Sequence, residues 1–361
     1  MNLSQEMESG SGPQTYAWDM EQILSPKQHR ARPRTRPPGN SARRASCKIA
    51  NILVPLDFSR RSLKALKYAL PFAERFHSTL HLVHAFEYEY PMSILAAMPL
   101  AISEAQVARS AKRRLAAVAK KHLVALAPEN CHVVKGHPSQ AVCQLARRLE
   151  TDLIVTTTHG YTGLRHVFLG STAERIVQHT PCGVLVVREH EREFVGETRG
   201  AANSGGTIRL RKILVPLDFS ECSMVGLESA VQFAKDWGAQ LVMFNCVPLQ
   251  TFATYGDYGG RDSTALAECA QRAARDLMSD VVSNLQSRGI FVQGVVELGA
   301  PAQNICDYAR ANDVDLIVTS THGSSGLVHL LLGSTAEHIV RYAHCPVLVM
   351  PGHARGGNRN D

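Results

Sequence analysis

The sequence predicts an α/β protein made of two tandem domains, each a parallel sheet covered by helices on both faces. Two observations support this fold class. Short apolar runs alternate with segments of helical periodicity, which is typical of a doubly wound sheet. The same order then occurs again, because the eight residues Ile52–Ser59 return letter for letter as Ile213–Ser220. Such a repeat indicates that one domain has been duplicated.

The elements of the first copy follow from its hydrophobic pattern. Ile52–Ser59 ends in a polar turn and predicts a buried first strand, and Ser59 or Ser62 is a suitable N-cap for the helix behind it. Pro71 lies inside that helix and is expected to kink or shorten it. The pattern continues with strands at 79–86, 131–135, 152–155 and 183–188, and with helices at about 102–127, from Pro138 onward and after Gly170.

The domain boundaries follow from composition and from the repeat. Residues 1–46, rich in Ser, Pro, Gly and Arg, are expected to form a disordered tail, and 351–361 a flexible one. The two domains are predicted at 48–188 and 212–350, with a glycine-containing linker at 189–211. The offset between the copies is 161 residues at the first strand and 163 from the third strand onward, so the second copy carries a two-residue insertion.

Composition limits the classes of function. The net charge is +7, of which the tail supplies +3 through seven basic and four acidic residues, and the remaining +4 does not point to a nucleic-acid partner. No apolar run is long enough to cross a membrane, and the N-terminus lacks a signal pattern. The nine cysteines include no Cys-x-x-Cys pair, which argues against a disulfide framework and a zinc site. These features favour a cytoplasmic protein.

One motif with chemical meaning occurs in both copies. A strand ending in Thr157-Thr158-His159-Gly160 is followed after nine residues by a helix start, and Ser320-Thr321-His322-Gly323 is followed at the same distance by another. The two helix starts read Gly170-Ser171-Thr172-Ala173-Glu174 and Gly333-Ser334-Thr335-Ala336-Glu337. A strand, a glycine loop and a helix N-terminus form an anion site from backbone N–H groups and the helix dipole.

A carboxylate is expected to face this anion site. The first strand of each copy ends at Asp57 or Asp218. In an open parallel sheet, ligands bind beyond the carboxyl ends of the strands where the strand order reverses. If the first and fourth strands are neighbours there, their loops form one cleft. It offers a carboxylate for ribose hydroxyls and N–H groups for phosphates, which suits a nucleotide.

With these motifs both copies resemble the universal stress protein family, across 48–188 and 212–350. The family's nucleotide signature is a glycine, two residues, a second glycine, nine residues, a third glycine and then Ser or Thr. Here the second glycine is Gly160 or Gly323, and the third is Gly170 or Gly333. The first glycine is replaced by Thr157 and Ser320. Glycine lets a backbone approach phosphates closely or adopt a positive φ, and a β-branched threonine resists both.

The resemblance implies two Rossmann-like domains, each with a five-stranded parallel sheet in the order 3-2-1-4-5, and ATP as the ligand. Protein ligands for Mg²⁺ are not indicated. The last strands, 184–188 and 347–350, are expected to pair, within the chain as a pseudo-dimer or between two chains as a homodimer. By resemblance, Asp57 and Asp218 contact the ribose or adenine, and backbone near Ala85 and Cys246 contacts the adenine edge. The residues expected at the phosphates are Gly160, Gly170, Ser171, Thr172, Gly323, Gly333, Ser334 and Thr335, with the hydroxyls of Thr157 and Ser320 as further candidates.

Structural roles compete with these functional ones. Ser171 and Glu174 also fit a capping box, in which the serine bonds the N3 amide and the glutamate reaches back to the N-cap amide. A phosphate bound to the same amides would exclude that role, and Glu174 would repel a phosphate held too close. Asp57 is likewise a candidate cap for the helix that follows it.

The remaining polar residues near the motif favour structural interpretations. His159 and His322 follow a strand, but no partner acid or nucleophile is spaced to complete a catalytic set. Cys182 and Cys345 open the last strand and fit small core residues. Arg165, whose equivalent in the second copy is a valine, fits a solvated side chain better than a phosphate ligand.

Three hypotheses for function follow. The first is a nucleotide-binding stress protein that senses or buffers ATP without rapid turnover. The second is a slow ATPase or self-phosphorylating protein, and the third is a scaffold without nucleotide that works through its dimer surface and Arg-rich tail. The sequence contains no P-loop lysine, nucleophile elbow or spaced metal-ligand cluster, so rapid catalysis is not expected. The retained spacing favours the first hypothesis, and the missing first glycine favours the third.

Overall fold

The structure is a computed structural model that describes residues 49–88, 103–123, 126–158, 170–188, 191–196, 206–249, 263–321 and 332–352. All of these residues belong to one structural unit of the chain, Ala45–Asp361. The predicted N-terminal tail and most of the C-terminal one lie outside the described residues.

Strands and helices alternate through the first half. The strands are β1 (Asn51–Pro55), β2 (Thr79–Phe86), β3 (Cys131–Lys135), β4 (Leu153–Thr157) and β5 (Gly183–Val187). The helices are α1 (Arg60–Phe76), α2 (Glu104–His122), α3 (Pro138–Arg148) and α4 (Ser171–His179). Strands β1, β4 and β5 are short Val/Ile/Leu runs with nearly every residue buried, as expected for a parallel sheet covered on both faces.

The second half repeats this order after a connection that contains β6 (Val195–Gly196) and β7 (Thr207–Ile208). Its strands are β8 (Lys212–Pro216), β9 (Gln240–Pro248), β10 (Val292–Gly299), β11 (Leu316–Ser320) and β12 (Val347–Met350). Its helices are α5 (Glu221–Trp237), α6 (Ser263–Ser287), α7 (Pro301–Ala311) and α8 (Ser334–Tyr342).

All ten long strands form one sheet. The order is β10-β9-β8-β11-β12-β5-β4-β1-β2-β3, so each half has the predicted order 3-2-1-4-5 with parallel neighbours. Apolar residues on each face of the sheet pack against helices and form two core clusters. The α/β fold with two tandem copies is therefore confirmed.

The two halves join through their last strands. Strands β5 and β12 pair antiparallel, with Leu185 opposite Leu348, Val184 opposite Val349 and Val186 opposite Val347. Leu185 and Leu348 are equivalent positions of the repeat, because they are 163 residues apart. The pairing is therefore symmetric about this leucine pair, as in an isologous interface. The strand pairing that the resemblance implied is present within the chain.

Aromatic side chains of α1 and α5 extend this junction. Phe72 lies 6.0 Å from Phe233 and Phe76 lies 5.5 Å from Trp237, measured between ring centroids. The connection between the halves adds Phe194, which is 1% exposed and lies 5.1 Å from Tyr68. The segment predicted as a polar linker thus contributes to the core, which its glycine content did not indicate.

Two local predictions need correction. The second helix was expected at about 102–127 but runs from Glu104 to His122, with Ser103 as its N-cap in a capping box. The first helix does not end at Pro71 but continues to Phe76. Pro71 and Phe72 are both buried, and this packing compensates for the hydrogen bond that proline cannot donate. Ser59 is the N-cap of α1, as predicted, and accepts from the Ser62 amide at 3.1 Å.

Candidate functional site

The first and fourth strands of each half separate toward their carboxyl ends. Strands β1 and β4 run to Pro55 and Thr157, yet they pair only at their beginnings, through two residues of each strand. Strands β8 and β11 also pair through only two residues each. By contrast, β1 stays paired with β2 along its whole length, and β4 with β5. A cleft therefore opens where the strand order reverses, as in nucleotide-binding sheets.

An aspartate holds these strands together at the opposite end. Asp152 accepts hydrogen bonds from the amides of Ala50 at 2.8 Å and Asn51 at 3.0 Å, which joins the starts of β4 and β1. Asp315 does the same for Arg211 and Lys212 in the second half. Because the strands are fixed at their amino ends and twist apart, the separation occurs at the ends that carry the motif residues.

Asp57 follows β1 at the end where β1 and β4 separate. Its Oδ1 accepts a hydrogen bond from the Ser59 amide at 2.9 Å, which closes a tight turn, whereas its Oδ2 is buried and has no hydrogen-bond partner among the described residues. Burial raises the pKa of Asp57, but hydrogen bonds from Ser59 and Ser62 outweigh it and leave the pKa below its ordinary value. Asp57 is therefore an ionised carboxylate with one unused acceptor.

Asp57 is not the helix cap, because Ser59 occupies that position. In the turn between them, Phe58 has φ 64°, and its equivalent in the second half, Phe219, has φ 60°. A bulky residue in this left-handed region costs about 1–3 kcal/mol and persists only where its surroundings hold it. The hydrogen bond from the Ser59 amide to Asp57 is one such restraint, so the aspartate shapes the loop as well as lining the cleft.

The same turn is present in the second half with a different exposure. Asp218 accepts from the Ser220 amide at 3.0 Å and from the Ser220 hydroxyl at 2.5 Å. Asp218 is exposed, whereas Asp57 is half-buried. The two clefts therefore share a backbone geometry but differ in how far their carboxylates are shielded from water.

The opposite wall is formed by the ends of β4 and β11. The Thr158 amide donates to the Val187 carbonyl at 3.2 Å, and the Thr158 carbonyl accepts from the Gly170 amide at 2.5 Å. In the second half Thr321 bonds Met350 and Gly333 in the same way, at 2.9 Å each. The nine-residue spacing of the motif thus has a structural meaning, since the two ends of the loop are held against each other.

A helix begins where this loop ends. The N-caps of α4 and α8 are Gly170 and Gly333, which have no side chain to cap the helix. The capping box predicted for Ser171 and Glu174 is therefore wrong, because Ser171 is the first helical residue rather than the N-cap. The first amides of any α-helix have no acceptor within the helix. In α4 and α8 these amides belong to the residues that the sequence predicts at the phosphates.

Thr157 and Ser320, which replace the first motif glycine, do not require an unusual backbone conformation. Thr157 and Ser320 are the last residues of β4 and β11 and pair with Val187 and Met350. Neither has a positive φ, so the position needs no glycine for its backbone conformation. A β-branched or hydroxyl side chain fits an extended strand end, and only the closeness of approach to a ligand distinguishes it from glycine.

The predicted adenine-edge positions lie on the second strand of each half. Ala85 is half-buried near the end of β2 and faces Val134 of β3 in the register. Cys246 is at the equivalent depth in β9, opposite Glu297. Burial, together with the Glu297 charge, raises the pKa of the Cys246 thiol to about 11, which disfavours the thiolate at neutral pH.

Two segments of this chain match a family of known proteins. The sequence pattern of the universal stress protein family matches residues 48–188 and again 209–351, which together make up most of the chain. The chain belongs to the universal stress protein family. Universal stress protein MJ0531 of Methanocaldococcus jannaschii is 30% identical over 140 residues, which cover 39% of this chain and 81% of that protein. Universal stress protein Sll1388 of Synechocystis is 29% identical over 148 residues, or 38% of this chain and 96% of that protein.

One universal stress protein of known structure matches both halves of this chain. The crystal structure of a universal stress protein from Archaeoglobus fulgidus superimposes with a TM-score of 0.55 and covers 84% of this chain and 97% of its own. At 17% sequence identity this likeness concerns the fold alone. The single-domain relatives above each match about the length of one half, which agrees with a duplicated universal stress protein domain.

The remaining residues singled out in the sequence of this universal stress protein lie either outside the described residues or in the core. Gly160, Gly323, His159, His322 and Arg165 lie outside the described residues. Cys182 and Cys345 are 3% and 0% exposed and fill the core, as predicted.

Within the part of the chain that the structure describes, no three His, Cys, Asp or Glu side chains are grouped to hold a metal ion. No helix among the described residues has the length and apolar character needed to span a membrane.

Sequence reasoning missed the side chains that surround Phe58. His84 donates from Nδ1 to the Leu56 carbonyl at 2.7 Å, and its ring centroid lies 4.4 Å from that of Phe58. The guanidinium carbon of Arg114 in α2 lies over the same ring, 4.2 Å from its centroid. In the second half Asn245 replaces His84 and donates to the equivalent Leu217 carbonyl at 2.8 Å. The aligned positions of the two copies, His84 and Asn245, were the signal in the sequence.

Proposed function

We propose that each half of this universal stress protein binds one adenine nucleotide, with ATP as the physiological ligand. The protein would act as a nucleotide-dependent sensor or regulator in a stress response, without rapid turnover. The observation that carries this proposal is the separation of β1 from β4. Asp57, whose Oδ2 has no partner among the described residues, follows β1 at the end where the strands separate, and α4 begins beyond the same end of β4.

The residues present fit such a ligand. A nucleotide supplies hydroxyl donors on its ribose and anionic oxygens on its phosphates. Among the described residues, the ionised Oδ2 of Asp57 is an acceptor without a donor, and the amides of Ser171 and Thr172 are donors at the positive end of a helix dipole. The Ser171 hydroxyl is exposed and is not used as a cap, so it adds a further donor.

The two sites are expected to differ in affinity. A hydrogen bond to a carboxylate is stronger where water is excluded, because the local dielectric is lower. Asp57 is half-buried and Asp218 is exposed. We therefore expect the first half to bind the nucleotide more tightly than the second.

The arrangement of the chain also supports an internal pseudo-dimer over a homodimer formed through the same strands. Strands β5 and β12 pair with each other, which leaves neither of them as an edge for a second chain. None of the eight cysteines that the structure describes is part of a disulfide, which agrees with the proposal of a reducing compartment such as the cytoplasm.

A measurement of bound nucleotide tests the proposal. The full chain is purified and denatured, and the supernatant is assayed for nucleotide; we expect close to two ATP per chain. Added ATP at 100 times its Kd should stabilise each half by about 2.7 kcal/mol and raise the melting temperature. No bound nucleotide and no thermal shift at millimolar ATP would refute nucleotide binding. Release of ADP that increases with time would instead identify a slow ATPase.

Substitution of the third motif glycine locates the phosphates. Gly170 has φ −59° and ψ 135°, and Gly333 has φ −58° and ψ 141°, a region that valine adopts without strain. Gly170→Val and Gly333→Val should therefore fold, but their side chains would block the approach to the helix amides. Each variant should lose one of the two sites and keep the other. If both retain two sites with unchanged Kd, the phosphates bind elsewhere.

A further inference from the structure

Helix α2 carries a concentration of positive charge that the whole-chain composition conceals. Its nineteen residues, Glu104–His122, contain six Lys or Arg side chains and one acid, a net charge of +5. The whole 361-residue chain has a net charge of +7, so the residues outside α2 together carry only +2. A low average charge thus coexists with one strongly basic helix.

The basic side chains of α2 lie in solvent on one face of the helix. The residues on the sheet side are buried, among them Ala111, Leu115 and Ala119. With 100° between successive residues, Arg109, Lys112, Arg113 and Lys120 fall within a stripe about 100° wide that borders the buried face. All four are exposed, and Arg114 and Lys121, also exposed, flank them. From Arg109 to Lys120 the stripe is about 17 Å long at 1.5 Å per residue.

Acidic side chains do not neutralise the stripe within the described residues. Glu104 is the one acid of α2, and it pairs with Lys135 of β3 at 2.7 Å. The described residues provide no ion pair for Arg109, Arg113 or Lys120. Like charges three and four residues apart destabilise a helix by a few tenths of a kilocalorie, so this arrangement has a cost to the isolated fold.

The second half shows that the fold does not require this charge. Helix α6 occupies the place of α2 in the repeat, with Ala274 and Met278 buried at the positions of Ala111 and Leu115. It contains two basic and three acidic residues, a net charge of −1. Because the same packing is achieved with the opposite charge, the basic stripe of α2 calls for an explanation outside folding.

We propose that the exposed face of α2 binds the phosphate backbone of nucleic acid without sequence preference. A row of Arg and Lys about 17 Å long matches a polyanion that carries about one charge per 1.7 Å of duplex axis. The face contains alanines and no aromatic or large aliphatic side chain between its charges. It therefore lacks the apolar anchor of a membrane-surface helix and a stacking platform for bases.

Fluorescence anisotropy with a labelled duplex DNA of about 25 base pairs and mixed sequence tests this proposal on the full chain. The variant Arg109→Gln/Arg113→Gln removes two charges from α2, and the matched control Arg272→Gln/Arg275→Gln removes two exposed charges from α6. Each lost phosphate contact lowers the slope of log K against log salt by about 0.9. Between about 50 and 200 mM salt, the α2 variant should therefore lose about 12-fold less affinity than the parent chain, while the α6 control behaves like the parent.

Other outcomes overturn the proposal. An α2 variant with the parent's affinity and salt slope would place duplex binding elsewhere, for example in the Arg-rich N-terminal segment that all variants retain. An equal loss in the α6 control would show a general charge effect. Binding of phosphatidylserine vesicles or of labelled polyglutamate through α2, with no binding of the duplex, would identify a membrane surface or an acidic protein as the partner. A duplex of a second sequence should bind with the same Kd, and a strong preference for one sequence would contradict recognition through the phosphates alone.

Discussion

The unpaired carboxylate oxygen of Asp57 leads to a sharp prediction for Asp57→Asn. In one orientation, the new side-chain amide presents its NH2 group to the ribose hydroxyl and cannot provide the ionised acceptor. In the other orientation, the NH2 group faces the Ser59 amide, which in the parent chain donates to Asp57 Oδ1 at 2.9 Å. Either way one acceptor contact is lost. The backbone turn remains compatible with asparagine, so the free energy of unfolding should change by less than about 1 kcal/mol.

The expected increase in the Kd for ATP follows from the kind of hydrogen bond that is lost. A hydrogen bond to a charged group is worth about 1.5–3 kcal/mol, which corresponds to roughly a 10- to 150-fold increase in Kd. Titration calorimetry of the full chain with ATP resolves this, since the first site alone should weaken. Asp218→Asn should weaken the second site by less, because Asp218 is exposed. Asp276→Asn, at an exposed acid of α6, is the control for loss of charge.

The result that would refute this reasoning is an unchanged Kd at both sites in the double variant Asp57→Asn/Asp218→Asn. Such a result would mean that neither carboxylate contacts the ligand. The role of the aspartates would then be limited to the turn around Phe58 and Phe219. Loss of binding together with a large drop in melting temperature would show that the turn itself had failed, which the thermal measurement distinguishes.

Three further predictions concern stability. Phe72→Ala, at the aromatic junction of α1 and α5, should cost about 3–5 kcal/mol, whereas Phe291→Ala, at a residue that is 71% exposed, should cost under about 0.5 kcal/mol in urea unfolding. Ser59→Ala should cost about 1 kcal/mol through loss of the α1 N-cap, and an unchanged unfolding midpoint would contradict that role. Burial lowers the pKa of His81 and of His132, whose rings meet at 3.2 Å, below the ordinary value of 6.5. As the pH falls, the unfolded chain therefore binds more protons than the folded chain. The contribution of this histidine pair to the free energy of unfolding is thus fully present above about pH 6.5 and decreases below it. His132→Asn should flatten the dependence of unfolding free energy on pH between about 7 and 5, and a slope equal to the parent's would exclude the pair as its source.

Local patterns were enough to predict much of the fold. The duplication follows from the repeated residues, and the strand at 131–135 and the order of strands and helices follow from residue periodicity, which neighbouring residues alone determine. Element ends were harder to predict, because competing caps decide them. Helix α2 ends at His122 rather than near 127, and α4 starts one residue after the glycine that caps it. Ser171 was therefore misplaced as an N-cap, although its spacing suited a capping box.

The sequence by itself determined which residues recur and at what spacing, and this identified the carboxylate, the loop and the helix start as one unit in each copy. Only the tertiary structure decided how those parts meet. The strands β1 and β4 are joined at their amino ends through Asp152 and separate at the other end, a long-range arrangement that no local pattern encodes. The structure likewise decided that Oδ2 of Asp57 has no partner among the described residues and that the charges of α2 are exposed to solvent. Burial and pairing depend on residues distant in the chain. These contacts decide that Asp57 is half-buried whereas the equivalent Asp218 is exposed.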